Sequence, residues 1–309
     1  IGAGNIGSRY LQGLLKLKKP CTIYIIDYSQ EALNLSKNRI LDIDNKIHEL
    51  NFSLSLPSDV DFFKLAIVAT TSNSRAKLIE DINIRYSIEF WILEKVLAQS
   101  KEEILRISKC LGESGKVWVN TPRRITPWYK EIKSKIRKKY EPLKILVEGG
   151  GWGLACNAIH FIDLFSWITD SDISKISNSD IKDWIPSKRK GYFEALGKLK
   201  ILFKDKSSLL LSCSHEKSDI KIFIENANGL WFINEKEGFA IGPNKEIVNG
   251  QNTYQSQLAS IVVTEIFETG SCNLPSLKES SLQHIKMIDA FLNSWNNINK
   301  KNESFIKIT

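Results

Sequence analysis

Between Gly2 and Asn120 the chain alternates short apolar runs with amphipathic helical periods, and few folds accommodate that alternation. Residues 21–27 (C-T-I-Y-I-I-D), 64–70, 89–94 and 116–120 each read as a buried strand. Helical segments separate them. The one led by S-K-E-E at residues 100–103 carries a capping box, Ser100 with Glu103. Parallel neighbours need a long crossover, usually a helix, so strands spaced this way predict β-α-β units in a doubly wound parallel sheet.

After residue 122 the pattern changes. One helical segment follows Pro127, and another spans about residues 155–168. Runs with partial alternation come next: K-L-K-I-L-F, S-L-L-L-S-C, I-K-I-F-I-E and L-W-F-I-N. Asn228-Gly229 suits a tight hairpin turn, because both residues tolerate positive φ. The expectation is an α/β chain of two domains. Residues 1–122 form the parallel sheet, and residues 123–309 form an α+β domain with a largely antiparallel open sheet. A helix over about residues 277–295 closes the chain.

Gly2, Gly4 and Gly7 stand at the spacing G-x-G-x-x-G and open the helical stretch S-R-Y-L-Q-G-L-L. Asp27 ends the next strand twenty positions after Gly7. Loop, helix and acid in that order are the fingerprint of a Rossmann dinucleotide-binding unit. Gly2, Gly4, Asn5, Ile6 and Gly7 would receive a pyrophosphate on bare backbone at a helix N-terminus. Asp27 would accept ribose hydroxyls and repel a 2′-phosphate, which favours NAD over NADP. The carboxyl ends of later strands add Thr70, Thr71 and Asn73, then Glu94 and Lys95. In this fold the strand ahead of the loop is central to the sheet, and Ile1 is all that is present of it. Natural residues ahead of Ile1 are therefore expected.

The formal charge of +8 is spread along the chain apart from K-S-K-I-R-K-K at residues 133–139, and no nucleic-acid-binding motif accompanies it. No apolar run reaches the roughly 20 residues of a membrane span. The five cysteines are scattered without a C-x-x-C pair, which fits free thiols in a reducing cytoplasm. Cys156 and His160 have helical ligand spacing, but no second ligand pair follows, so no metal is expected. His48, His215 and His284 are isolated and read as surface or packing residues.

Two residues have a pattern that points to proton transfer. Lys95 ends a strand where parallel sheets bind ligands; it reads either as an acid–base group or as a solvated lysine. Cys156, His160, Asp163 and Trp167 stand at i, i+4, i+7 and i+11 and share one helix face. Ala155, Ala158, Ile159, Ile162 and Phe165 take the other side. His160 is suited to exchange protons near neutral pH, with Asp163 one turn on to orient its ring, or it is structural.

The glycine loop, L-E-K-V after a strand, R-R-I-T-P and G-G-G-W-G-L-A-C-N-A-I-H-F-I-D together resemble the Gfo/Idh/MocA oxidoreductases, relatives of glucose-fructose oxidoreductase and inositol dehydrogenase. The resemblance runs over nearly the whole chain. It implies that Lys95, in the E-K-P motif, is a catalytic and substrate-contacting lysine; here Val96 replaces the proline. It implies that His160 transfers the proton. Members commonly carry Asp four residues before that histidine, where this chain has Cys156, and Asn157 beside it is a candidate substitute. Arg124 matches an arginine that is either structural or substrate-facing. The resemblance also implies a homodimer or homotetramer assembled through the open sheet.

The expected activity is NAD-dependent oxidation of a secondary alcohol on a sugar, polyol or nucleotide sugar, with Lys95 or His160 taking the hydroxyl proton. The T-P-R-R loop and the basic balance favour an anionic substrate. Two other readings keep the fold. One is an internal redox cycle in an epimerase, dehydratase or glycosidase; the other is a non-catalytic NAD-binding regulator, for which Cys156 is the main support.

Overall fold

The computed structural model describes residues 1–45, 47–112, 116–136, 141–251 and 253–309. Residues 137–139 of the basic run lie outside the described residues. Contacts group the chain into two compact units. Unit 1 comprises Ile1–Glu94, Ile107–Asn120 and Thr253–Leu277; unit 2 comprises Lys95–Arg106, Thr121–Asn252 and Lys278–Thr309.

Unit 1 begins with α1 (Asn5–Leu14), β1 (Thr22–Ile26), α2 (Gln30–Arg39), β2 (Glu49–Ser53), β3 (Phe62–Val68), α3 (Arg75–Arg85) and β4 (Ser87–Glu94). Helix α4 (Lys101–Leu111) leads into β5 (Val117–Asn120). Ser29 starts α2 by accepting the Ala32 N–H at 3.3 Å. The α4 box is only half formed: Ser100 accepts the Glu103 N–H at 3.2 Å, while the Glu103 carboxylate takes the N–H of Gln99 at 3.1 Å. Among the described residues the unit's strand pairs are parallel: β1 with β2, β3 with β4, and β4 with β5. Ile1 and Gly2 bridge the two parts. The Gly2 N–H donates to Ile26 O at 2.8 Å, and Ile1 O accepts from the Ala69 N–H at 2.8 Å. Next to them lies a cavity of about 330 Å³ lined by apolar side chains of β1 and β3, among them Ile25, Phe63 and Leu65. Ala3, Leu11, Leu15, Ile25 and Leu33 form a core against Leu50 and Phe52.

Unit 2 holds α5 (Pro127–Ile136), β6 (Lys144–Gly150), α6 (Leu154–Thr169), β7 (Ile173–Ser177), β8 (Ile181–Pro186), β9 (Phe193–Phe203), β10 (Ser208–Ser214), β11 (Ser218–Asn226), β12 (Gly229–Asn234), β13 (Phe239–Ile241) and β14 (Ile247–Asn249). Helix α7 (Gln255–Thr269) returns to unit 1, and α8 (Leu277–Asn299) closes the chain. The nine strands form one sheet in the order β14-β13-β12-β11-β6-β10-β9-β7, with β8 also on β9. Every pairing is antiparallel except β6 with β10. The expected fold class, a parallel doubly wound sheet plus a largely antiparallel one, is therefore observed.

Period-2 alternation explains the faces of the second sheet. Leu209, Leu211, Ile145, Val147, Ile222, Ile224, Trp231 and Ile233 are buried on one side, where α6 packs on β9 and β10. The hairpin turn is one residue earlier than expected. Asn226 pairs with Gly229, so Ala227 and Asn228 form the turn and Gly229 opens the return strand.

Candidate functional site

In unit 1 the loop adopts the geometry that its glycines permit. Gly2 has φ +88°, and a Cβ there would lie 2.8 Å from Ala69 C and Thr70 N. A Cβ on Gly7 would stand 1.7 Å from Gly2 O, so helix α1 closes on the loop only because residue 7 has none. At Gly4, by contrast, a Cβ would meet nothing within 4 Å. Helix α1 has no side-chain N-cap. Its first-turn N–H groups at Asn5, Ile6 and Gly7 thus have no capping side chain. Arg39 adds a cation there, donating to Asn5 O and Asn5 Oδ1 at 2.7 Å each and to Ser8 Oγ at 2.6 Å. Thr70 Oγ1, at the carboxyl end of β3, is buried with no hydrogen-bond partner. Uncapped donors, a cation and an orphaned hydroxyl around an open glycine fit the phosphates of a dinucleotide.

The acids at the strand ends are more engaged than their spacing implies. Asp27 accepts the Ala3 N–H through Oδ2 at 2.7 Å and the Ser29 N–H through Oδ1 at 2.9 Å. It therefore fixes the loop, and a ribose would meet only its remaining lone pairs. Glu94 is buried, with its carboxylate accepting from Tyr10 Oη at 2.9 Å and from Asn120 Nδ2, whose amide also reaches Gln255 Oε1 at 3.0 Å. The fully buried Arg75 donates to the carbonyls of Glu94 and Thr70 and so ties two strand ends together. Thr71 is half-buried and Asn73 exposed in the loop that precedes α3.

In unit 2 the chain brings Lys95, Cys156, Asn157 and His160 together. The Lys95–Val96 peptide bond is cis. Lys95 Nζ donates to Cys156 O at 3.3 Å and to Asn157 Oδ1 at 3.5 Å. Asn157 is held in turn by its Nδ2 donating to Trp152 O at 2.7 Å. Burial, then the positive charges of Lys95, Arg123 and His284, push His160 well below the usual histidine range. Its Nδ1 is buried without a partner, and the low pKa keeps the imidazole neutral. The Cys156 thiol is pushed up to about 12 by burial and by Glu194, and remains a thiol at neutral pH.

Asp163 does not orient His160, contrary to expectation. It is fully buried and held by Arg124, Nε to Oδ2 at 3.1 Å and Nη2 to Oδ1 at 2.6 Å. Burial raises its carboxyl to about 6 even though Arg124 opposes the shift. Arg124 also reaches Glu279 at 2.8 Å. Its guanidinium is therefore occupied by two internal carboxylates. Arg123 is likewise occupied, by both oxygens of Glu235 at 2.8 and 3.0 Å. The i+7 spacing put Asp163 on the histidine's face, but a full bundle of neighbours around α6 leaves little of that face open.

Glu194 was missed. It sits near the start of β9, and its Oε2 accepts the N–H groups of Ala155 at 2.9 Å and Cys156 at 3.3 Å, at the beginning of α6. A single Glu in F-E-A-L-G-K carries no spacing signal toward residue 156, because the sheet register alone brings them together. Among the described residues no group of three or more His, Cys, Asp or Glu could hold a metal ion. Among the described residues no helix is long and apolar enough to cross a membrane, and no disulfide joins the cysteines.

No family model matches the sequence, and no curated protein does. Solved structures do match the fold. An oxidoreductase from Agrobacterium radiobacter in complex with NAD+, L-tartaric acid and magnesium gives a TM-score of 0.72 at 14% identity, covering 96% of this chain and 95% of that one. Scyllo-inositol dehydrogenase from Lactobacillus casei, with bound NAD(H) and scyllo-inositol, gives 0.61 at 14% identity, covering 92% of each. A myo-inositol dehydrogenase from Corynebacterium glutamicum gives 0.65 at 13% identity, covering 95% and 94%. The fold is the one that the motif resemblance implied.

Proposed function

We propose that the chain is an NAD-dependent oxidoreductase acting on a secondary alcohol of a polyol or sugar. The observation that carries this reading is the docking of Lys95 Nζ on Cys156 and Asn157, in the turn of α6 that leads to His160. A lysine amine or an unprotonated imidazole at such a site can take the proton of a hydroxyl. Bound NAD supplies the hydride acceptor. The protein's part is to hold the pyrophosphate at Gly2, Gly4 and the first turn of α1, and to take the hydroxyl proton at Lys95 Nζ or His160. The similar structures are named as dehydrogenases or oxidoreductases, and two of them carry NAD, which supports the same assignment.

The direct test mixes the protein with NAD and a panel of sugars, polyols and nucleotide sugars and follows NADH absorbance. A substrate-dependent rise is expected. Dinucleotide that co-purifies and never turns over would shift the assignment to an internal redox cycle. Binding without any chemistry would point to a regulator. We infer that a second copy of the chain covers the open sheet face of unit 2, as the resemblance implies.

A further inference from the structure

Arg75 opens helix α3, is only 1% exposed, and carries a charge that no step above employs. A guanidinium keeps its proton in a protein, so the interior here holds a permanent cation. It donates to the backbone carbonyls of Thr70, just past β3, and of Glu94, the last residue of β4. Carbonyls fix a cation without neutralising it. The nearby anion is the carboxylate of Glu94 itself, also buried, which accepts from Tyr10 Oη at 2.9 Å and from Asn120 Nδ2. Both charges reach Tyr10: burial and then Glu94 hold its hydroxyl well above the usual tyrosine range, and Arg75 opposes that shift. A cation and an anion thus share one dry corner of unit 1.

The corner lies to one side of the glycine loop. Gly2 bonds to the end of β1, while Ile1 bonds to Ile67 and Ala69 at the end of β3. Asp27 follows β1 and marks the adenosine side. A dinucleotide lies across the carboxyl ends of such strands, with one mononucleotide half on each side of the pyrophosphate. The nicotinamide half therefore belongs to the ends of β3, β4 and β5, where Thr70, Glu94 and Asn120 stand on neighbouring strands. Thr70 Oγ1 is buried there with no hydrogen-bond partner. The nicotinamide ring is a cation in NAD+ and neutral in NADH, so a fixed charge beside it distinguishes the two forms.

We propose that Arg75 and Glu94 form a charge pair that sets the relative affinity for the two redox forms of the dinucleotide, with Arg75 disfavouring the cationic ring and Glu94 favouring it. This rests on the oxidoreductase reading and adds to it a control over which form is held. Arg75 acts through its field, at a distance that its two carbonyl acceptors fix. With both charges present their effects on the ring offset each other. With one removed, the other acts alone.

The experiment titrates the full chain with NAD+ by calorimetry and with NADH by fluorescence, for the wild type, Arg75→Met, Glu94→Gln and the double variant. The readout is the ratio of Kd for NAD+ to Kd for NADH. Arg75→Met should lower that ratio roughly tenfold, and Glu94→Gln should raise it by a similar factor. The double variant should return it close to the wild-type value. Loss of a merely structural contact weakens both forms alike and leaves the ratio where it was. If Arg75→Met does not fold, Glu94→Gln still carries the sign, and Arg75→Lys, which keeps the charge and loses the fork, should leave the ratio unchanged. An unmoved ratio in Glu94→Gln, or a shift of the opposite sign in either single variant, overturns the pair. Such a result in a chain that binds both forms leaves the oxidoreductase reading standing. A wild type that binds neither form overturns both.

Discussion

Arg124 holds Asp163 by a fork of two nitrogens on two oxygens, 3.1 and 2.6 Å, with the carboxylate fully buried. The pair anchors the middle of α6, one turn beyond His160, to the turn that follows Thr121. Removing Arg124 strands the fully buried Asp163 carboxyl, and removing Asp163 leaves the buried Arg124 with only Glu279. Asp163→Ala should cost about 3 kcal/mol in urea unfolding, and Arg124→Met a similar amount. The double variant Arg124→Met/Asp163→Leu should lose much less than the sum. Additive losses would mean that the two charges do not act as a pair.

Lys95 has a different signature. Lys95→Met should leave the protein folded and NADH binding intact, while turnover falls roughly 100-fold or more, the usual scale for a lost proton-transfer group. Fluorescence titration and the absorbance assay read the two quantities separately. A Lys95→Met variant of normal kcat would remove Lys95 from the mechanism.

Acid should destabilise the fold through His160. In the unfolded chain the imidazole titrates near 6.5. In the folded chain burial and the charges of Lys95, Arg123 and His284 hold it well below that. As pH falls the unfolded state binds the proton first. The contribution is therefore complete above about pH 6.5 and is lost through the interval down to the folded value, at most about 1.4 kcal/mol per pH unit. His160→Gln should flatten this part of the curve when urea midpoints are compared at pH 7.5 and 5.5. Equal losses in both proteins would count against a buried neutral histidine.

Two glycines of the loop should separate folding from binding. Gly7→Ala drives a methyl to within 1.7 Å of Gly2 O and should destabilise unit 1 as well as abolish NADH binding. Gly4→Ala meets nothing in the protein, so its melting temperature should barely move. Its methyl would stand where the pyrophosphate belongs, and NADH affinity should fall roughly tenfold, about 1.4 kcal/mol. Normal affinity in Gly4→Ala would displace the proposed cradle.

The outer face of the second sheet carries a row set by register: Leu210 opposite Leu146, then Phe223, Phe232 and Ile241. Phe223, Phe232 and Phe239 stack at centroid spacings of 5.3 and 5.9 Å. Lys198 and Lys200 flank the row on one side. A second copy seated there would bury these rings, and Phe232→Glu should convert an oligomer to monomers in light scattering. An unchanged mass would place any oligomer interface elsewhere.

What could be read from the sequence was mostly local. The glycine loop, the strand ending at Asp27 and the helix bearing His160 depend on neighbours a few residues apart, and they were legible. Strand β6, K-I-L-V-E-G-G, was not, because its partners β10 and β11 lie far along the chain and nothing beside it marks its place in the sheet. Helix α7 contains I-V-V-T, which taken alone favours a strand. Burial of Leu258, Ala259, Val262, Val263 and Ile266 on one face overrides that preference. Asp163 and Glu194 failed in opposite ways: the spacing that placed Asp163 near His160 could not show Arg124 claiming it, and no spacing connected Glu194 to α6 at all.

Helix α7 packs on α1, where a Cβ at Gly13 would stand 2.6 Å from that of Ala259. The consequence concerns the order of events on the ribosome. At roughly 5–20 residues per second, synthesis reaches the far partner some tens of seconds after α1 has been made. Until then the glycine-loop helix emerges with an uncovered side. A nascent chain of this kind should engage holding chaperones through its first segment and release them only once α7 has been made.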